Sequence, residues 1–209
     1  NEVFPGKELD SALVLKANHF SSVYIQNLGN DKFILSSLPN QAQLAPIFGM
    51  QTWDINQDGF LDEILNGNDY GMGLIQGRAD AMSGVVLIND AGHGFTPLSL
   101  DESGFYTNGE NRTLSSILIG GQPMFVQMIN LDSLQIFKLK NGGNTILRLQ
   151  KNETYGILES GDGKKQKVEF FPGDAYKSQR NHHSFLLPPL TNLRVINPVS
   201  KKERIERAK

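Results

Sequence analysis

The chain has no cysteine among its 209 residues. This absence excludes a disulfide framework, a thiolate nucleophile and a thiolate metal site, although it does not assign a cellular compartment. No uninterrupted apolar run approaches the ~18 residues that a membrane-spanning helix requires, so no membrane span is expected. The formal net charge is only −2, which provides no electrostatic reason to expect nucleic acid or an anionic membrane surface as a partner.

Catalytic signatures are also missing. We find no G-x-S-x-G elbow, no phosphate-binding G-x-x-x-x-G-K and no H-E-x-x-H zinc motif. The glycines of Gly71-x-Gly73-x-x-x-Gly77 miss the dinucleotide-binding spacing by one residue. Carboxylates are plentiful, and only their separation in space decides whether two of them form a glycosidase-like pair. The sequence therefore predicts that the chain is not an enzyme.

Long helical periodicity is nearly absent, whereas glycine is abundant at 21 residues. Asn-Gly, Gly-Asn, Asp-Gly and Gly-Gly pairs recur along the chain, and such pairs mark the turns of β-hairpins. We therefore predict an all-β fold. The sequence begins at Asn1 with neither Met nor a signal peptide, which we interpret as a processed product or a piece of a longer protein.

An internal repeat divides the first part of the chain. Residues 22–27 (SVYIQN) match residues 84–89 (GVVLIN), and each copy continues through a glycine-containing turn to a strand that starts at Phe33 or Phe95. The offset is 62 residues throughout, and a third, degenerate unit is expected to begin near Ser133. A repeat of this length built from hairpins predicts propeller blades of about four strands each. The alternative is a pair of unrelated hairpins of a common type.

One segment, residues 54–62 (DINQDGFLD), has the pattern of a loop that wraps a hard cation. Oxygen-bearing side chains stand at its first, third, fifth and ninth positions, so alternate residues can point inward. Gly59 stands at the sixth position, where the chain needs a positive φ angle. The candidate ligands are the side chains of Asp54, Asn56, Asp58 and Asp62 and the backbone carbonyl of Phe60.

These ligands predict a calcium ion. Ligation by oxygen alone favours Ca²⁺ over a transition metal, and the flexible geometry of a loop favours it over Mg²⁺. The position at which an EF-hand has a bidentate glutamate is Leu65, and the loop instead runs directly into a predicted strand at residues 64–65. We predict a structural role for the ion. The alternative is an Asx-rich turn that binds no ion.

The second candidate site is a long loop at residues 67–84, which interrupts the regular spacing of the predicted hairpins. It offers an aromatic platform, a bidentate cation and hydrogen-bond acceptors, which suit recognition of a carbohydrate or a peptide. The candidate ligand-binding residues are Asn68, Tyr70, Arg78 and Asp80. The alternative is a structural role, in which Arg78 pairs with Asp80 and a buried Tyr70 fixes the loop.

The pattern of strands and turns predicted from the sequence changes from about Leu147. Strand-like segments at residues 154–159, 166–171, 184–187 and 193–196 are separated by turns that contain glycine or proline. They predict a small β module. The last residues, 201–209, are strongly charged and are expected to form a solvated tail, with a short helical end as the alternative.

Two of these segments resemble known families. Residues 54–62, followed by a strand and by Gly67-Asn68, resemble the FG-GAP/VCBS repeat of integrin-like β-propellers. The run at residues 162–171 (DGKKQKVEFF), with residues 173–179 (GDAYKSQ), resembles the ASPIC/UnbV domain. Blades followed by such a module are similar to the C-terminal end of large exported bacterial VCBS-repeat proteins.

The resemblance implies incomplete β-propeller blades of the FG-GAP/VCBS type at residues 1–147, an ASPIC/UnbV-like β module at residues 148–197 and a charged tail at residues 198–209. The first segment is long enough for about two or three blades, and a closed propeller has at least about four. The remaining blades would come from a longer parent chain or from a partner. We expect the open blade edge to be capped by the C-terminal module or by a neighbouring molecule.

The resemblance further implies a non-catalytic, calcium-stabilised protein of the bacterial cell envelope, located extracellularly, on the outer-membrane surface or in the periplasm. Its role would be binding or scaffolding, with a polysaccharide or a protein as the partner and polysaccharide capture as one form of that role. Two rival functions stay open. One is a polysaccharide-acting enzyme with a carboxylate cleft, and the other is a protein–protein adhesion module.

Overall fold

The structure, a computed structural model, describes residues 12–120, 122–140, 145–159, 163, 165–170, 184–187 and 191–208. Half of the structure is strand and 5% is helix, so the predicted all-β class is confirmed. The chain divides into two compact units, residues 1–37 and residues 38–209. Within the described ranges the strands form several antiparallel sheets, none of which closes into a barrel.

The described part of the first unit contains a β-hairpin. Its strands are β1 (Val23–Gly29) and β2 (Lys32–Ser37), which pair antiparallel. Asn30 and Asp31 at the centre of the turn have φ angles of 51° and 58°, the geometry of a type I′ turn. The Asn27 side chain supports this turn, because it accepts a hydrogen bond at 2.8 Å from the backbone amide two residues later.

The second unit begins with sheet A, a four-stranded antiparallel meander in which each strand pairs with the next along the chain. Its strands are β3 (Ile47–Trp53), β4 (Asp62–Gly67), β5 (Val85–Asn89) and β6 (Phe95–Pro97). Consecutive residues of β4, such as Ile64 and Leu65, are both buried. Such an uninterrupted run of buried residues shows that both faces of sheet A are covered.

One face of sheet A, here called the Leu65 face, is covered by local segments of the chain. Leu65 and Leu87 of this face join a buried cluster with Ala42 and Met82. Ala42 belongs to a short 3-10 helix (Asn40–Gln43), and Met82 belongs to the long loop between β4 and β5. The long loop therefore contributes to the core as well as to the surface.

The opposite face of sheet A, here called the Ile64 face, packs against sheet B. Sheet B is a second antiparallel meander, formed by β7 (Asn111–Ile119), β8 (Gln122–Ile129) and β9 (Leu134–Lys138). In the core between the two sheets, the rings of Trp53 and Phe125 meet edge to face with centroids 5.5 Å apart. Asn66 crosses the interface, where its side-chain amide donates to the Thr113 carbonyl at 3.0 Å.

A short helix, α1 (Leu100–Ser103), follows β6 and is held by a capping box. Ser99 and Glu102 each accept a hydrogen bond from the other's backbone amide. Gly104 then ends the helix in the left-handed conformation, at a φ of 62°. This exit places Phe105 in the core between sheets A and B, where its ring centroid lies 4.7 Å from that of Phe137.

The internal repeat corresponds to matching elements of the structure. At the same 62-residue offset, β1 and β2 correspond to β5 and β6, and β3 and β4 correspond to β7 and β8. The next connection differs most between the two sheets, since residues 68–84 join β4 to β5, whereas residues 130–133 join β8 to β9. The long loop is thus an insertion that the meander itself does not require.

The C-terminal part of the second unit has its own core. β10 (Thr145–Arg148) pairs with β13 (Ser184–Leu187). Sheet C has the order β12–β11–β14–β15, with β11 (Tyr155–Glu159), β12 (Lys165–Glu169), β14 (Asn192–Asn197) and β15 (Lys202–Arg207). Leu147, Leu158 and Phe185 pack together in this core. The predicted module boundary at residue 147 therefore falls inside β10.

The charged C-terminal residues form a strand rather than a tail. Residues 202–207, predicted to be part of a solvated tail, pair along their length with β14. Arg204 anchors them: its guanidinium donates to both carboxylate oxygens of Glu153, at 2.7 and 2.9 Å, and to the Arg148 carbonyl at 2.8 Å. These partners lie 51 and 56 residues earlier in the sequence, so the local charge pattern did not reveal them.

The strands predicted at residues 154–159, 184–187 and 193–196 correspond to β11, β13 and β14. Much of the ASPIC/UnbV-like run, including all of residues 173–179, lies outside the described residues. None of the helices that the structure describes has the length and apolar character needed to cross a membrane.

Candidate metal centre

The acidic loop predicted from the sequence connects the first two strands of sheet A. Trp53 and Asp62 stand opposite each other at the ends of β3 and β4, and residues 54–61 join them. The chain reverses here with Gln57 at a φ of 63° and Gly59 at a φ of 91°. The predicted positive φ of Gly59 is confirmed, and the loop enters a strand directly, as expected.

Asp54 organises the first half of the loop. Its side chain is buried, and its carboxylate accepts hydrogen bonds from the backbone amides of Asp58 at 3.1 Å and Gly59 at 3.0 Å. Two smaller turns follow, in which Asn56 Oδ1 accepts from the Asp58 amide at 3.1 Å and Asp58 Oδ1 accepts from the Phe60 amide at 2.9 Å. The predicted ligands therefore satisfy the backbone of their own loop.

Asp62 closes the second half of the loop and ties it to the neighbouring strand. This residue is fully buried, and its carboxylate accepts from the amides of Ile55 at 2.7 Å and Asn89 at 2.8 Å. The Asn89 side chain in turn donates to the Leu61 carbonyl at 3.0 Å. Asn89 was not among the predicted site residues. In the sequence, only the match of Asn89 to Asn27 in the internal repeat indicated that this asparagine has a structural role.

Burial raises the pKa of both Asp54 and Asp62, because a charged carboxylate loses hydration in the interior. Hydrogen bonds from the backbone oppose this shift, whereas the negative charge of Asp58 adds to it at both residues. Three carboxylates thus repel one another at one end of sheet A. Among the described residues, no lysine or arginine forms an ion pair with any of them.

The chemistry of these donors fits a hard cation, but their present arrangement is not a complete coordination shell. In the described ranges, no three acidic or imidazole side chains are gathered as a metal cluster requires. Asp54 and Asp62 accept from backbone amides, and the Asn56 side chain donates to Asp58 Oδ2 at 2.8 Å. Asn56 and Asp58 are exposed, so these two side chains can change rotamer at little cost.

Glu63, beside Asp62 on β4, is a titratable group that the sequence did not reveal. It lies between Thr52 of β3 and Leu87 of β5. Burial raises the pKa of Glu63 to about 8, and the charge of Asp62 adds to the shift. Its Oε2 atom is buried and has no hydrogen-bond partner among the described residues. In the sequence, a glutamate that follows an acidic loop resembles part of an exposed turn, so the local pattern does not mark Glu63 as buried.

Asn68 closes the long loop at its base. It has a φ of 84°, and its buried side-chain amide donates to the carbonyls of Met82 and Gly109, both at 2.9 Å. Its Oδ1 accepts from the Met82 amide at 3.0 Å. Both donor hydrogens of the amide are therefore used inside the protein. The contacts of Asn68 that the structure shows are structural, and its ligand-binding role stays a prediction.

The other three predicted residues lie further along the loop. The guanidinium carbon of Arg78 lies 4.6 Å from the centroid of the Tyr70 ring, in a cation–π contact. Asp80 is exposed, and in the part of the chain that the structure describes it forms no ion pair with Arg78. The structure thus brings Tyr70 and Arg78 together, and the alternative of an Arg78–Asp80 pair is replaced by this stack.

A carboxylate outside the predicted set anchors the loop to sheet B. The buried Glu110 accepts from the Tyr70 amide at 2.9 Å and from the Arg112 guanidinium, which also bonds Asp69 at 2.9 Å. The bond from the Tyr70 amide holds the pKa of Glu110 below its ordinary value, and bonds from Asn130 and Arg112 add to this effect. The partners are 40 and 43 residues apart in the sequence, so no local pattern marks them.

The tip of the long loop is apolar. Leu74 and Ile75 are fully exposed there. The turn that presents them is held by the Gly73 carbonyl, which accepts from the amides of Gln76 at 2.9 Å and Gly77 at 3.2 Å. The loop therefore combines an anchored, polar base with a projecting apolar tip.

No family model matches the chain, and no curated protein matches it. The FG-GAP/VCBS and ASPIC/UnbV assignments stay predictions that depend on the residues described above.

Proposed function

We propose that the chain is a non-catalytic β-repeat module, of the FG-GAP/VCBS type, which one Ca²⁺ ion at residues 54–62 stabilises and which binds or scaffolds at a bacterial cell envelope. One observation carries this proposal. The acidic loop joins two core strands of sheet A, and its first and last carboxylates, Asp54 and Asp62, are buried without a cationic partner among the described residues.

The electrostatics of the loop support the choice of a divalent cation. Burying Asp54 and Asp62 raises their pKa values, and Asp58 repels both of them. A bound cation offsets the desolvation and the repulsion together. The side chains of the predicted set supply only oxygen donors, together with the Phe60 carbonyl, which suits Ca²⁺ better than a transition metal.

The connections of Asp62 support a structural role for the ion. Asp62 already joins the start of the loop at Ile55 to the end of β5 at Asn89. An ion held by the same carboxylate would therefore fix three parts of sheet A at once. Since β4 is buried on both faces, loss of this fixed point weakens the core of the second unit.

Calcium-dependent thermal unfolding tests the proposal. A site with a Kd of ~10⁻⁴ M, typical of extracellular calcium modules, adds ~2 kcal/mol of stability at ~2 mM Ca²⁺. For a chain of this length that corresponds to a rise of ~4–8 °C in Tm. Calorimetric titration at low ionic strength measures the affinity directly, and Mg²⁺ at the same concentration should produce a smaller shift.

The variant Asp58→Ala should abolish most of the calcium-induced rise in Tm, because it removes an exposed ligand while leaving the buried carboxylates in place. Asp132→Ala is the matched control, since Asp132 is also exposed in a turn between two strands, the one that joins β8 to β9. An equal calcium shift in wild type and Asp58→Ala would contradict the metal site, and so would the absence of any shift in the wild type.

The loop at residues 67–84 is the proposed contact surface for the envelope partner. The Tyr70–Arg78 stack supplies an aromatic face and a cation next to the exposed Asp80, which suits a polysaccharide. Binding to a panel of purified bacterial polysaccharides should therefore weaken in Tyr70→Ala and not in the Asp132→Ala control. Release of new reducing ends during the same assay would instead support the rival of a polysaccharide-acting enzyme.

A protein–protein adhesion module is the second candidate, and one observation favours it. The fully exposed Leu74 and Ile75 project from a turn whose base is anchored by Glu110. Exposed apolar side chains on a well-supported loop are typical of a protein contact. If adhesion is the function, Leu74→Ser with Ile75→Ser abolishes binding to the partner, whereas polysaccharide binding, if present, stays unchanged.

A further inference from the structure

Sheet B has an exposed apolar face on the side away from sheet A. Alternate residues of its three strands share this face, here called the outer face of sheet B: Ile117 on β7, Met124, Val126 and Met128 on β8, and Leu134 and Ile136 on β9. Met128, Leu134 and Ile136 are each half exposed or more. Val126 stands directly across from Ile136, and Met128 across from Leu134, so the apolar side chains form one continuous surface.

The internal repeat relates the outer face of sheet B to one face of sheet A. Val126 corresponds to Ile64 at the 62-residue offset. The pairing agrees, since Ile64 stands across from Val86 in sheet A, just as Val126 stands across from Ile136 in sheet B. The outer face of sheet B is therefore equivalent to the Ile64 face of sheet A. Sheet B itself covers that face, so the same molecule shows that a face of this kind accepts a second β-sheet.

The complementary surface is also defined by the repeat. Sheet B meets the Ile64 face through Phe137 of β9, which stands across from Phe125. Glu63 is the equivalent of Phe125 at the 62-residue offset, and Leu87 stands across from Glu63. Leu87 of sheet A is therefore the equivalent of Phe137. Leu87 lies on the Leu65 face, which is already buried. Leu87 has a second equivalent at the 62-residue offset, Ile25 of the β1–β2 hairpin.

That second equivalent is exposed. Ile25 shares one face of the hairpin with Val23, Phe33 and Leu35, here called the hairpin face. Ile25, Phe33 and Leu35 are each more than half exposed. A two-stranded hairpin with an uncovered apolar face is marginally stable in water and gains from packing against another sheet. Sheets A and B pack together through the Ile64 face and the face of sheet B that carries Phe137. Each copy of the chain also has an exposed equivalent of both: the outer face of sheet B and the hairpin face.

We propose that copies of this chain associate head to tail, with the hairpin face of one copy packed on the outer face of sheet B of the next. The contact is heterologous, because two different surfaces meet. It produces a closed ring if the rotation between copies closes, and an open filament if it does not. The proposal does not depend on calcium or on an envelope ligand, because it uses neither the acidic loop nor the long loop.

Sedimentation velocity and light scattering over a broad dilution series test this association. The wild-type chain, of 23.2 kDa, should show a mass of at least two copies that falls to the monomer on dilution. Ile136→Lys places a charge on the outer face of sheet B, and Leu35→Lys places one on the hairpin face. Each variant alone should be monomeric at concentrations at which the wild type is associated.

Mixing the two variants gives the decisive result. Ile136→Lys keeps an intact hairpin face, and Leu35→Lys keeps an intact outer face of sheet B, so an equimolar mixture should form a one-to-one dimer and nothing larger. A symmetric contact between two identical surfaces would not be restored by mixing. Val199→Lys is the matched control, because Val199 is exposed in the turn between β14 and β15 and belongs to neither face, and this variant should associate like the wild type.

Far-UV circular dichroism and Tm establish that both variants are folded, which is expected because the substituted side chains are half exposed or more. Leu134→Lys repeats the test on the same face if Ile136→Lys does not fold. A wild-type chain that stays monomeric at every concentration overturns the proposal. An association that survives both lysine substitutions, or a mixture that stays monomeric, also overturns it.

Discussion

Replacing Glu63 by glutamine should stabilise this protein at neutral pH. Glu63 lies on β4 between Thr52 and Leu87, and its buried Oε2 has no hydrogen-bond partner among the described residues. Burial raises its pKa from 4.5 to about 8, with a further contribution from the charge of Asp62. At neutral pH the folded chain must therefore keep a proton on Glu63 that the unfolded chain releases. Glutamine has nearly the same shape and carries no charge to desolvate.

The direction of the pH dependence follows from the raised pKa. The stability associated with protonated Glu63 is fully present below the unfolded pKa of 4.5, and it is lost as the pH rises towards the folded value of about 8. At pH 7 the difference amounts to about 3 kcal/mol, because each pH unit above the unfolded pKa costs ~1.4 kcal/mol. For a chain of this size this is equivalent to a Tm difference of ~6–12 °C.

Urea unfolding of wild type and Glu63→Gln, measured from acid to neutral pH, checks this prediction. A calcium chelator should be present, so that no bound calcium ion changes the charge around Asp62, next to Glu63. The variant should match the wild type near the unfolded pKa of glutamate and exceed it progressively as the pH rises. Glu159→Gln is the control, because Glu159 also lies on a strand but its side chain is 46% exposed.

Two results would refute the reasoning about Glu63. A Glu63→Gln variant that is less stable than the wild type at neutral pH would show that the charged carboxylate makes a favourable contact. A stabilisation that does not change with pH would show that the gain comes from packing or hydrogen bonding rather than from the proton.

Two further substitutions test the contacts that hold the long loop and sheet A. Asn68→Ala should lower the stability by ~3 kcal/mol, because it removes three hydrogen bonds, two of them buried and one partly buried, and leaves their backbone partners unsatisfied. Asp80→Ala, an exposed change in the same loop, should have little effect in the same urea titration. Gly67→Ala should cost ~3 kcal/mol or more, since a Cβ atom there would lie 1.9 Å from the Pro46 carbonyl oxygen. Its control, Gly73→Ala, places a Cβ near only the flexible end of the Gln76 side chain. A Tm for Gly67→Ala equal to that of its control would contradict the close approach of β4 to residue 46.

Sequence patterns predicted the features that depend on neighbouring residues. The positive φ of Gly59 was predictable because the loop must reverse within a few residues, and only glycine adopts such an angle without strain. The strands at residues 154–159 and 193–196 were predictable from alternation and from the turn residues beside them. The repeat offset located the hairpins, because equivalent strands need equivalent side chains at the same spacing.

Features that depend on partners distant in sequence were not predictable. Asn68 resembled a surface residue of a polar loop, but the end of that loop and the residues before β7 lie against it, so its amide bonds residues 14 and 41 positions later. Residues 202–207 resembled a solvated tail, yet their position beside β14 gives Arg204 a carboxylate and a carbonyl to bond. Glu63 looked like part of an exposed acidic turn, and only the two strands beside it show that its carboxyl is buried.

The sequence by itself thus determined the all-β class, the acidic loop with its candidate ligands and the repeated hairpins, because these are properties of local backbone conformation and side-chain alternation. The tertiary structure decided which loop residues are structural, where the charged C-terminus pairs, and which sheet faces are covered and which are exposed. The physical reason is that burial and hydrogen-bond partners depend on which strands pair and which sheet faces pack together. No short segment of the chain determines either of these.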